Sequence, residues 1–472
     1  MSESTDSRLS RDTIVALVAM AAGVFLVAND FTALSVAIPT IEADFDTTLN
    51  RAQWVVNGYT VVFGVLIVTG GRLADLFGRR RIFLTGAAIF ATFSLIAGLS
   101  PTIWVLIGSR ALMGIGGALM WPAILGMTYA LLPEDRAGLA GGLIIGVAGI
   151  GNATGPLIGG FLTDTLSWRW VFFVNVPITL IAMFITVRAV PETKGEIVER
   201  SIDYRGIATL SVAVIAILVA LDQGTESGFG DPAILALFFV GFALLVVFAF
   251  VERREGEAAL IPPTVRGSRE FVAVCAAILT VSAIFFSVIL FLPQYMEKQL
   301  GYSALGAGAG LLPLMLLFAG TSFLAGGLYN RLGAKKVVTA GAACLGIGML
   351  ALSFLGEGSG YAILIPGMII VGIGIGLFYS SVTTAGITAL DPSLSSLAGG
   401  IIYMCQIAGG SIGLGLNTAI VLSASSFTEG IAIAFRIDAV LAGIGFLIAL
   451  VFIGGHEPLR ERFHLRHHSA HG

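Results

Sequence analysis

Residues 71–81 read GRLADLFGRRR, and a related segment, GGLYNRLGAKK, occupies residues 326–336. The two segments align without gaps at an offset of 255 residues. A second pair supports the alignment, because Pro39 and Pro293 each stand at the end of a long apolar run at an offset of 254. The sequence therefore predicts two copies of one structural unit, arranged in the same order along the chain.

The segments around these copies are strongly apolar. Of the 472 residues, 56% are apolar and 12% are charged, and the mean hydropathy is +0.94. A water-soluble domain does not sustain that composition, whereas a helix of about 20 apolar residues spans the hydrocarbon of a bilayer. The sequence therefore predicts an all-α integral membrane protein. Its fourteen predicted spans, numbered in chain order, are residues 14–38, 52–71, 82–100, 102–128, 137–161, 171–190, 206–222, 232–251, 271–293, 304–328, 336–355, 361–387, 396–422 and 432–454.

The repeat groups these spans into two six-helix bundles, spans 1–6 and spans 9–14, with spans 7 and 8 inserted between them. Parallel repeats of this kind occur in transporters that bind substrate between the two halves, near the middle of the membrane. The predicted organisation is a cytoplasmic tail at 1–13, a first bundle at 14–190, cytoplasmic connectors with the inserted spans at 191–270, a second bundle at 271–454 and a cytoplasmic tail at 455–472.

Lys and Arg residues are enriched in the cytoplasmic loops of membrane proteins. If both termini lie in the cytoplasm, 21 of the 26 Lys and Arg residues fall on the cytoplasmic side. Four others, Arg51, Arg169, Lys298 and Arg436, fall on the outer side, and Arg110 lies within a span. We therefore expect a multi-pass protein of the plasma (inner) membrane with both termini in the cytoplasm.

An acidic residue within a span costs roughly 2.5–3.5 kcal/mol on insertion scales and marks a functional site. Asp30 lies nine residues below Pro39, at the outer end of span 1. Arg110 likewise lies nine residues below Pro101, at the outer end of span 4. At 1.5 Å per residue, both side chains are about 13 Å beneath the outer surface. We therefore expect Asp30 and Arg110 to meet.

The expected pair has two interpretations. Burial favours the neutral form of an acid, whereas an adjacent guanidinium favours the carboxylate. A conformational change that separates Asp30 from Arg110, or dries the site, would therefore raise the affinity of Asp30 for a proton, as an alternating-access proton carrier requires. The alternative is a purely structural salt bridge.

The first copy of the repeated segment has the properties of a conformational latch. Gly71 and Gly78 permit a close approach of helices and a tight turn. Asp75 is able to cap or pair with the N-terminus of a neighbouring helix, and Arg79 and Arg80 hold the segment in the cytoplasm. A plain arginine anchor, which is the alternative, would explain the charges but not the repetition.

Span 5 carries a glycine at every fourth position. Gly151, Gly155 and Gly159 form a smooth face against which another backbone can pack closely, and Pro156 removes a helical hydrogen bond. We interpret this face as a flexible, tightly packed gate. Generic glycine packing between helices is the alternative.

Six further residues are weaker candidates for the lining of a substrate cavity, because they are large or polar side chains within apolar spans. Contact with lipid or with neighbouring helices is the alternative for each of them. They are Asn57, Met113, Trp121, Asn152, Tyr403 and Gln406.

These motifs together resemble the major facilitator superfamily, and in particular its fourteen-span drug/proton antiporter family, along nearly the whole chain. The segment at 71–81 is similar to the family's loop signature between spans 2 and 3. The resemblance implies the major facilitator fold and export in exchange for protons. The other matching residues are Asp30, Thr32, Val36, Ala37 and Pro39 in span 1; Arg110, Gly114 and Gly116 in span 4; Gly151, Gly155, Pro156, Gly159 and Gly160 in span 5; and Trp168, Arg169, Trp170, Asn175 and Pro177 at the start of span 6.

The sequence also departs from the family pattern. Met113 stands where the span 4 motif usually has Gln, and Asn330 replaces the acid in the second copy of the loop segment. Some relatives carry a further acidic residue in the second half, but spans 9–13 have no acid at mid-depth here. The number of coupling protons therefore stays open.

The sequence predicts a proton-coupled antiporter that exports lipophilic or amphipathic small molecules, with cationic compounds among the candidates. A transporter of the same fold for an endogenous metabolite or lipid, or one for facilitated nutrient uptake, is the alternative. An enzyme is not expected, because no cluster of acid, base and nucleophile is evident. We expect a monomer in the lipid bilayer, driven by protons, without a cofactor, metal site or nucleic-acid partner. A solvated tail is the interpretation of the five terminal histidines, and metal binding is its alternative: His456, His464, His467, His468 and His471.

Overall fold

The computed structural model describes residues 9–192, 203–356 and 358–454, and every regular element in these ranges is helical. Within the described residues, fourteen helical segments are long and apolar enough to cross a membrane, which confirms the predicted number. The histidine-rich tail and part of the first connector lie outside the described residues. The bounds of spans 1–14 are Arg11–Asp44, Arg51–Phe77, Arg79–Gly98, Ile103–Leu131, Glu134–Thr165, Trp170–Ala189, Tyr204–Leu221, Pro232–Glu255, Arg269–Lys298, Leu312–Leu332, Ala334–Leu352, Tyr361–Thr388, Pro392–Ser423 and Phe427–Phe452.

Span 1 is longer than predicted at its outer end. A helix at Arg11–Ala33 passes through a 3-10 turn at Leu34–Ala37 into a second helix at Ile38–Asp44. Pro39 does not end the span, because it occupies the first turn of the second helix, where a missing backbone N–H is tolerated. Asp30 therefore lies fourteen residues from the end of the span rather than nine, about 21 Å along the helix axis.

The repeated segments are helical almost throughout, so the predicted loop after residue 71 is wrong. Span 2 continues to Phe77, and Gly78 alone separates it from span 3. Gly333 separates span 10 from span 11 in the same way. Both glycines have a positive φ, +114° at Gly78 and +83° at Gly333, which L-residues with a side chain rarely adopt. The repeat thus encodes one sharp helix–glycine–helix turn per half. We call the end of the molecule that carries these turns the inner end.

The two halves use the same helix pairing. In the first half, span 4 packs on spans 2 and 3, and span 1 packs on spans 5 and 6. In the second half, span 12 packs on spans 10 and 11, and span 9 packs on spans 13 and 14. The halves meet through span 5 on span 10 and through span 2 on span 13. Spans 7 and 8 pack on each other, and span 7 lies beside the junction of spans 2 and 13.

The contacts of span 5 with span 10 run from the inner end to the middle of the molecule. A Cβ added at Gly142 would lie 2.9 Å from the carbonyl oxygen of Ser322, and one at Gly149 would lie 3.2 Å from the ring of Phe318. Helices approach this closely only where side chains are absent. The inner parts of the two halves are therefore in direct contact in this conformation.

Candidate functional site

Asp30 and Arg110 form a buried ion pair in the first half. Arg110 Nη1 donates to Asp30 Oδ2 at 2.6 Å, and neither side chain is accessible to solvent. Arg110 Nε donates to the carbonyl oxygen of Val55 at 2.9 Å, and Nη1 lies 3.9 Å from the sulfur of Met113. The guanidinium carbon lies 4.4 Å from the ring centroid of Tyr59, within cation–π range. Carboxylate, carbonyl and aromatic ring therefore hold the cation from three sides.

The second oxygen of the carboxylate is held by span 6. Asn175 Nδ2 donates to Asp30 Oδ1 at 3.0 Å and lies 3.4 Å from the hydroxyl oxygen of Ser94 on span 3. The Ser94 hydroxyl in turn donates to the carbonyl oxygen of Phe172. Sequence reasoning noted Asn175 only for its family resemblance and missed this contact, because a neutral residue at the start of a span carries no pattern that marks it.

The glycine face of span 5 packs on span 1, in the same half. A Cβ at Gly151 would stand 2.9 Å from the Cβ of Ala28, and one at Gly155 would overlap the hydroxyl oxygen of Thr32. The Thr32 hydroxyl donates to the carbonyl oxygen of Asn152 at 3.2 Å. The face therefore supports the helix that carries Asp30.

Gly159 continues this contact along span 1, since a Cβ there would meet the backbone of Ala33. Pro156 lies within the span 5 helix at a half-buried position. The segment predicted as a gate thus occupies the outer part of span 5, where the neighbour is span 1, whereas the inner part of span 5 faces span 10.

The first copy of the repeated segment contacts the second half. Asp75 accepts hydrogen bonds from the backbone N–H groups of Ser396 at 3.3 Å and Leu397 at 2.8 Å, at the start of the span 13 helix. Arg79 Nε donates to Asp75 at 2.9 Å, and Arg79 Nη2 donates to the carbonyl oxygen of Pro392 at 2.7 Å. A carboxylate at the N-terminus of a helix is stabilised by the helix dipole. We call Asp75 and Arg79 with these partners the charged latch.

The second copy makes the equivalent contact without charge. Asn330, at the position of Asp75 in the repeat, accepts a hydrogen bond from the backbone N–H of Gly138 at 3.3 Å, in the first turn of span 5. A Cβ at Gly138 would meet the carbonyl oxygen of Gly326, so the backbones approach closely here as well. We call this contact the neutral latch.

The remaining residues of the first copy set the geometry of the turn. A Cβ at Gly71 would lie 2.5 Å from the carbonyl oxygen of Ser396, so span 2 reaches span 13 only because residue 71 is glycine. A Cβ at Gly78 would collide with the carboxylate of Glu192. The backbone N–H of Arg80 donates to that carboxylate at 3.1 Å. Arg80 therefore ties the turn to the end of span 6 in its own half, while Arg79 reaches across to the other half.

Two of the predicted cavity residues meet between the halves. The rings of Trp121 on span 4 and Tyr403 on span 13 are 4.6 Å apart, and Phe63 on span 2 packs edge-on against Tyr403 at 5.6 Å. Trp121 Nε1 and the Tyr59 hydroxyl are buried polar atoms that have no hydrogen-bond partner within the described residues. Met113 lies at the ion pair rather than in this aromatic group. The other predicted cavity residues are half-buried: Asn57, Asn152 and Gln406.

The second half contains a buried acid that the sequence analysis missed. Asp438 on span 14 is fully buried, and Asn417 Nδ2 lies 3.0 Å from both of its carboxyl oxygens. Asn417 Nδ2 also donates to the hydroxyl oxygen of Ser287 on span 9 at 3.0 Å. The signal was present, because Asp438 lies inside the predicted span 432–454 and an acid inside a span indicates a functional site.

Metal-binding geometry is absent from the part of the chain that the structure describes. No group of three or more His, Cys, Asp or Glu side chains in these residues is arranged to hold a metal ion. Cys275, Cys344 and Cys405 are free thiols.

Two repeated six-helix bundles, joined at the inner end and carrying a buried ion pair within the membrane-spanning part, have the architecture of a membrane transporter. The sequence model described as Major Facilitator Superfamily matches residues 20–414, and the chain belongs to this superfamily. The predicted family and fold class are thereby confirmed. The protein is a multi-pass membrane transporter and not an enzyme.

Several bacterial relatives are similar over most of the chain. The puromycin resistance protein pur8 of Streptomyces alboniger is 32% identical over 447 residues, which cover 93% of this chain and 88% of the relative. The cephamycin export protein CmcT of Amycolatopsis lactamdurans is 32% identical over 444 residues, covering 93% and 91%. The multidrug resistance protein Stp of Mycobacterium tuberculosis is 31% identical over 409 residues, covering 86% and 75%.

A solved structure supports the fold. The crystal structure of the human organic anion transporter MFSD10 superimposes with a TM-score of 0.66 and covers 93% of this chain and 99% of its own. Its sequence is only 13% identical, so the likeness concerns the fold alone.

Proposed function

We propose that this protein is a proton-coupled antiporter that exports lipophilic or amphipathic small molecules by alternating access. Three relatives at about one-third identity are named for puromycin resistance, cephamycin export and multidrug resistance, which supports export of drug-like compounds. The excess of Lys and Arg on one side supports a plasma (inner) membrane orientation with the inner end and both termini in the cytoplasm. The protein works as a monomer.

The observation that carries the proton coupling is the buried pair of Asp30 and Arg110. Arg110 Nη1 lies 2.6 Å from Asp30 Oδ2 and compensates the charge of the buried carboxylate. A conformational change that separates the pair, or dries the site, leaves the buried carboxylate without compensation, and Asp30 then takes up a proton. The amide of Asn175 is able to donate to the carboxyl in either state, so the acid keeps its position during the exchange.

The proton gradient is the energy source in place of a cofactor. An elementary charge that moves through 100 mV supplies about 2.3 kcal/mol. Since about 1.4 kcal/mol corresponds to a factor of ten, one proton sustains roughly a fiftyfold substrate gradient. That ratio is sufficient for resistance to a toxic compound.

The aromatic group between the halves supports a flat, apolar substrate. Trp121 and Tyr403 come from different halves, so the space between them changes when the halves move. Trp121 Nε1 and the Tyr59 hydroxyl are buried donors without a partner in the described residues, and a substrate acceptor would satisfy them. Substrate binding and proton binding are then linked through Tyr59, whose ring lies against Arg110.

The charged and neutral latches support alternating access. Both close the inner end, and both hold the first turn of a helix in the opposite half. Opening toward the cytoplasm requires Asp75 to leave Leu397 and Asn330 to leave Gly138. The inner contacts of spans 5 and 10 support the assignment of this conformation to a state closed toward the cytoplasm.

The test is dye efflux from vesicles that contain the purified protein, with and without an imposed proton gradient. We expect gradient-driven efflux in the wild type and its loss in Asp30→Asn. The matched control is Asp44→Asn, because Asp44 is on the same span and also pairs with an arginine, Arg169, but at an exposed position. Retained gradient-driven efflux in Asp30→Asn would remove Asp30 from the mechanism. Dye accumulation that ignores the gradient would favour facilitated uptake instead.

A further inference from the structure

Asp438 lies near the middle of span 14. It is eleven residues from the start of span 14 at Phe427 and fourteen residues from its end at Phe452. At 1.5 Å per residue, about 16 Å of helix separates it from the nearer end. The side chain is fully buried. An acid at this depth requires a cation, water or a proton to compensate its charge.

No cation compensates Asp438 within the described residues. Its carboxyl has the amide of Asn417 and the hydroxyl of Ser287 as partners. The charged groups on the neighbouring helices lie near the helix ends, and Arg436, two residues from Asp438, is exposed. The titratable and charged groups on spans 9, 11, 13 and 14, which pack together here, are Arg269, Glu270, Cys275, Tyr295, Glu297, Lys298, Lys335, Lys336, Cys344, Tyr403, Cys405, Glu429 and Arg436.

The buried polar side chains around Asp438 include one acceptor that has no donor among the described residues. Asn417 Nδ2 is shared between Ser287 and Asp438, but Asn417 Oδ1 is buried and has no hydrogen-bond partner in the part of the chain that the structure describes. An ionised carboxylate only accepts hydrogen bonds, whereas a protonated carboxyl also donates one. A proton on Asp438 would therefore remove the charge and add one donor to this group of buried polar side chains, in which Asn417 Oδ1 has no partner among the described residues. The acid and the amide would then both be neutral.

The site is connected to the contact between the halves through span 9. Ser287 follows Phe285 by two residues, and the ring of Phe285 packs on Phe318 at a centroid distance of 6.0 Å. Phe318 in turn contacts Gly149 of the first half. Separation of the halves at Gly149 would free Phe318 and expose this side of span 9. Ser287, two residues from Phe285, lies on another face of span 9 and is itself buried, so proton exchange at the carboxyl requires span 9 to shift against span 14 when the halves separate.

We propose that Asp438 is a second proton-binding site, which holds its proton in this conformation and exchanges it when the halves separate. The proposal rests on the proposed function, because the proton is exchanged during export. It differs from the site at Asp30, since here the charge is compensated by a proton rather than by an arginine. Each export cycle then moves two protons.

The first test is infrared spectroscopy of the purified full-length protein, which does not depend on transport. The probe is the C=O stretching band of a protonated carboxylic acid, followed as the pH is raised. We expect a band at neutral pH that is lost in Asp438→Asn and kept in the control Asp164→Asn, which makes the same change at an exposed position. Ser287→Ala leaves the carboxyl and amide in place and is expected to shift the band. If Asp438→Asn does not fold, the shift in Ser287→Ala shows whether the band belongs to Asp438. A band that neither variant changes would overturn the proposal.

The second test measures coupling in vesicles with ethidium, a monovalent cation, as the probe. Exchange of two protons for one such cation moves one net charge, and exchange of one proton moves none. We expect efflux by Asp438→Asn to keep its dependence on the pH gradient and to lose its dependence on the membrane potential. At 100 mV the maximal ethidium gradient should fall roughly fiftyfold, because one charge is worth about 2.3 kcal/mol.

The two tests separate the proposal from the proposed function. If Asp438→Asn removes the infrared band but leaves the voltage dependence unchanged, the proton is permanent and exchange is rejected. If wild-type efflux ignores every imposed gradient, the proposed antiport fails and exchange at Asp438 fails with it. The infrared band would then still decide whether Asp438 binds a proton.

Discussion

The two halves of this transporter share one helix pairing but compensate a buried acid in two different ways. In the first half, Asp30 on span 1 is paired with the guanidinium of Arg110 on span 4. In the second half, span 12 is the counterpart of span 4 and carries no Lys or Arg. In this half, Asp438 accepts a hydrogen bond from the neutral amide of Asn417. The low dielectric of the interior demands that each centre be neutral overall, and the halves meet that demand by an ion pair and by a proton.

The same difference appears at the inner end. The first copy of the repeated segment forms the charged latch through Asp75 and Arg79, and the second copy forms the neutral latch through Asn330. Both latches hold a helix N-terminus of the opposite half. The repeat therefore preserves the position of each contact while its charge has changed. Perturbation of matched positions in the two halves should separate the effect of charge from the effect of packing.

The largest effect is expected when the buried pair loses its cation. Arg110→Met leaves the carboxylate of Asp30 buried without a counter-charge, which costs about 3–5 kcal/mol of unfolding free energy. Denaturant titration of the purified protein measures this loss. The double variant Asp30→Asn with Arg110→Met should recover most of the stability but not the gradient-driven efflux. A single variant as stable as the wild type would mean that Asp30 is already neutral, and the contrast between the halves would disappear.

Removal of the charged latch should open the inner end more than removal of the neutral latch. Asp75→Ala deletes hydrogen bonds that involve a carboxylate, each worth about 1.5–3 kcal/mol, and Asn330→Ala deletes a neutral hydrogen bond worth about 1 kcal/mol. Both variants should open the inner end, and Asp75→Ala should open it more than Asn330→Ala. The measurement is the labelling rate of cysteines introduced at the inner end. Arg81→Gln is the control, because Arg81 is 70% exposed. Equal opening in the two alanine variants would show that the charge of Asp75 is irrelevant to the latch.

Alanine at a tightly packed glycine should lower the stability of the protein equally in the two halves. Gly155 on span 5 packs against span 1, and Gly413 on span 13 packs against Ala283 of span 9. Alanine at either position should destabilise the protein by about 1–3 kcal/mol through overpacking. Gly160→Ala is the control on the same helix, because its Cβ would lie 3.6 Å from Val36, an ordinary contact. A large difference between Gly155→Ala and Gly413→Ala would show that the halves differ in packing as well as in charge.

Loss of the Asn417 amide in the second half should reduce stability less than loss of the Arg110 guanidinium in the first half. Asn417→Leu preserves the approximate shape of the side chain and removes a hydrogen bond to Asp438. If Asp438 is neutral, the loss is that of an ordinary hydrogen bond, about 0.5–1.5 kcal/mol. The measurement is the same denaturant titration as for Arg110→Met. A loss as large as that of Arg110→Met would mean that Asp438 is ionised.

Much of this architecture follows from sequence. The number of spans follows from hydropathy, because only a helix of about 20 apolar residues crosses the hydrocarbon. The contact of Asp30 with Arg110 was expected from their equal depth, and the structure places them 2.6 Å apart. The depth itself was wrong in absolute terms, because the helix runs through Pro39, but the difference did not affect the pairing. The roles assigned to these residues stay predictions.

The rest depended on tertiary contacts that leave no local pattern. Asn175 and Ser287 are small polar residues in apolar spans, and such residues serve as interhelical hydrogen bonds in most membrane proteins. The second acid, Asp438, lies on span 14, outside spans 9–13, which have no acid at mid-depth. The segment after Gly71 resembles the family's loop signature, but it is helical on both sides of Gly78. Its Asp75 and Arg79 find partners across the interface.

The smallest effect is expected at an ion pair that resembles the central one in geometry but not in environment. Arg169 Nη1 lies 2.8 Å from Asp44 Oδ2 at the outer end of span 1, and the two side chains are 33% and 42% exposed. Water and salt screen such a pair, so Asp44→Asn should cost less than about 1 kcal/mol, and high salt should reduce the loss further. Denaturant titration at low and high ionic strength measures it. A loss comparable to that of Arg110→Met would mean that distance rather than burial determines the strength of these pairs, and the argument for a proton on Asp438 would lose its premise.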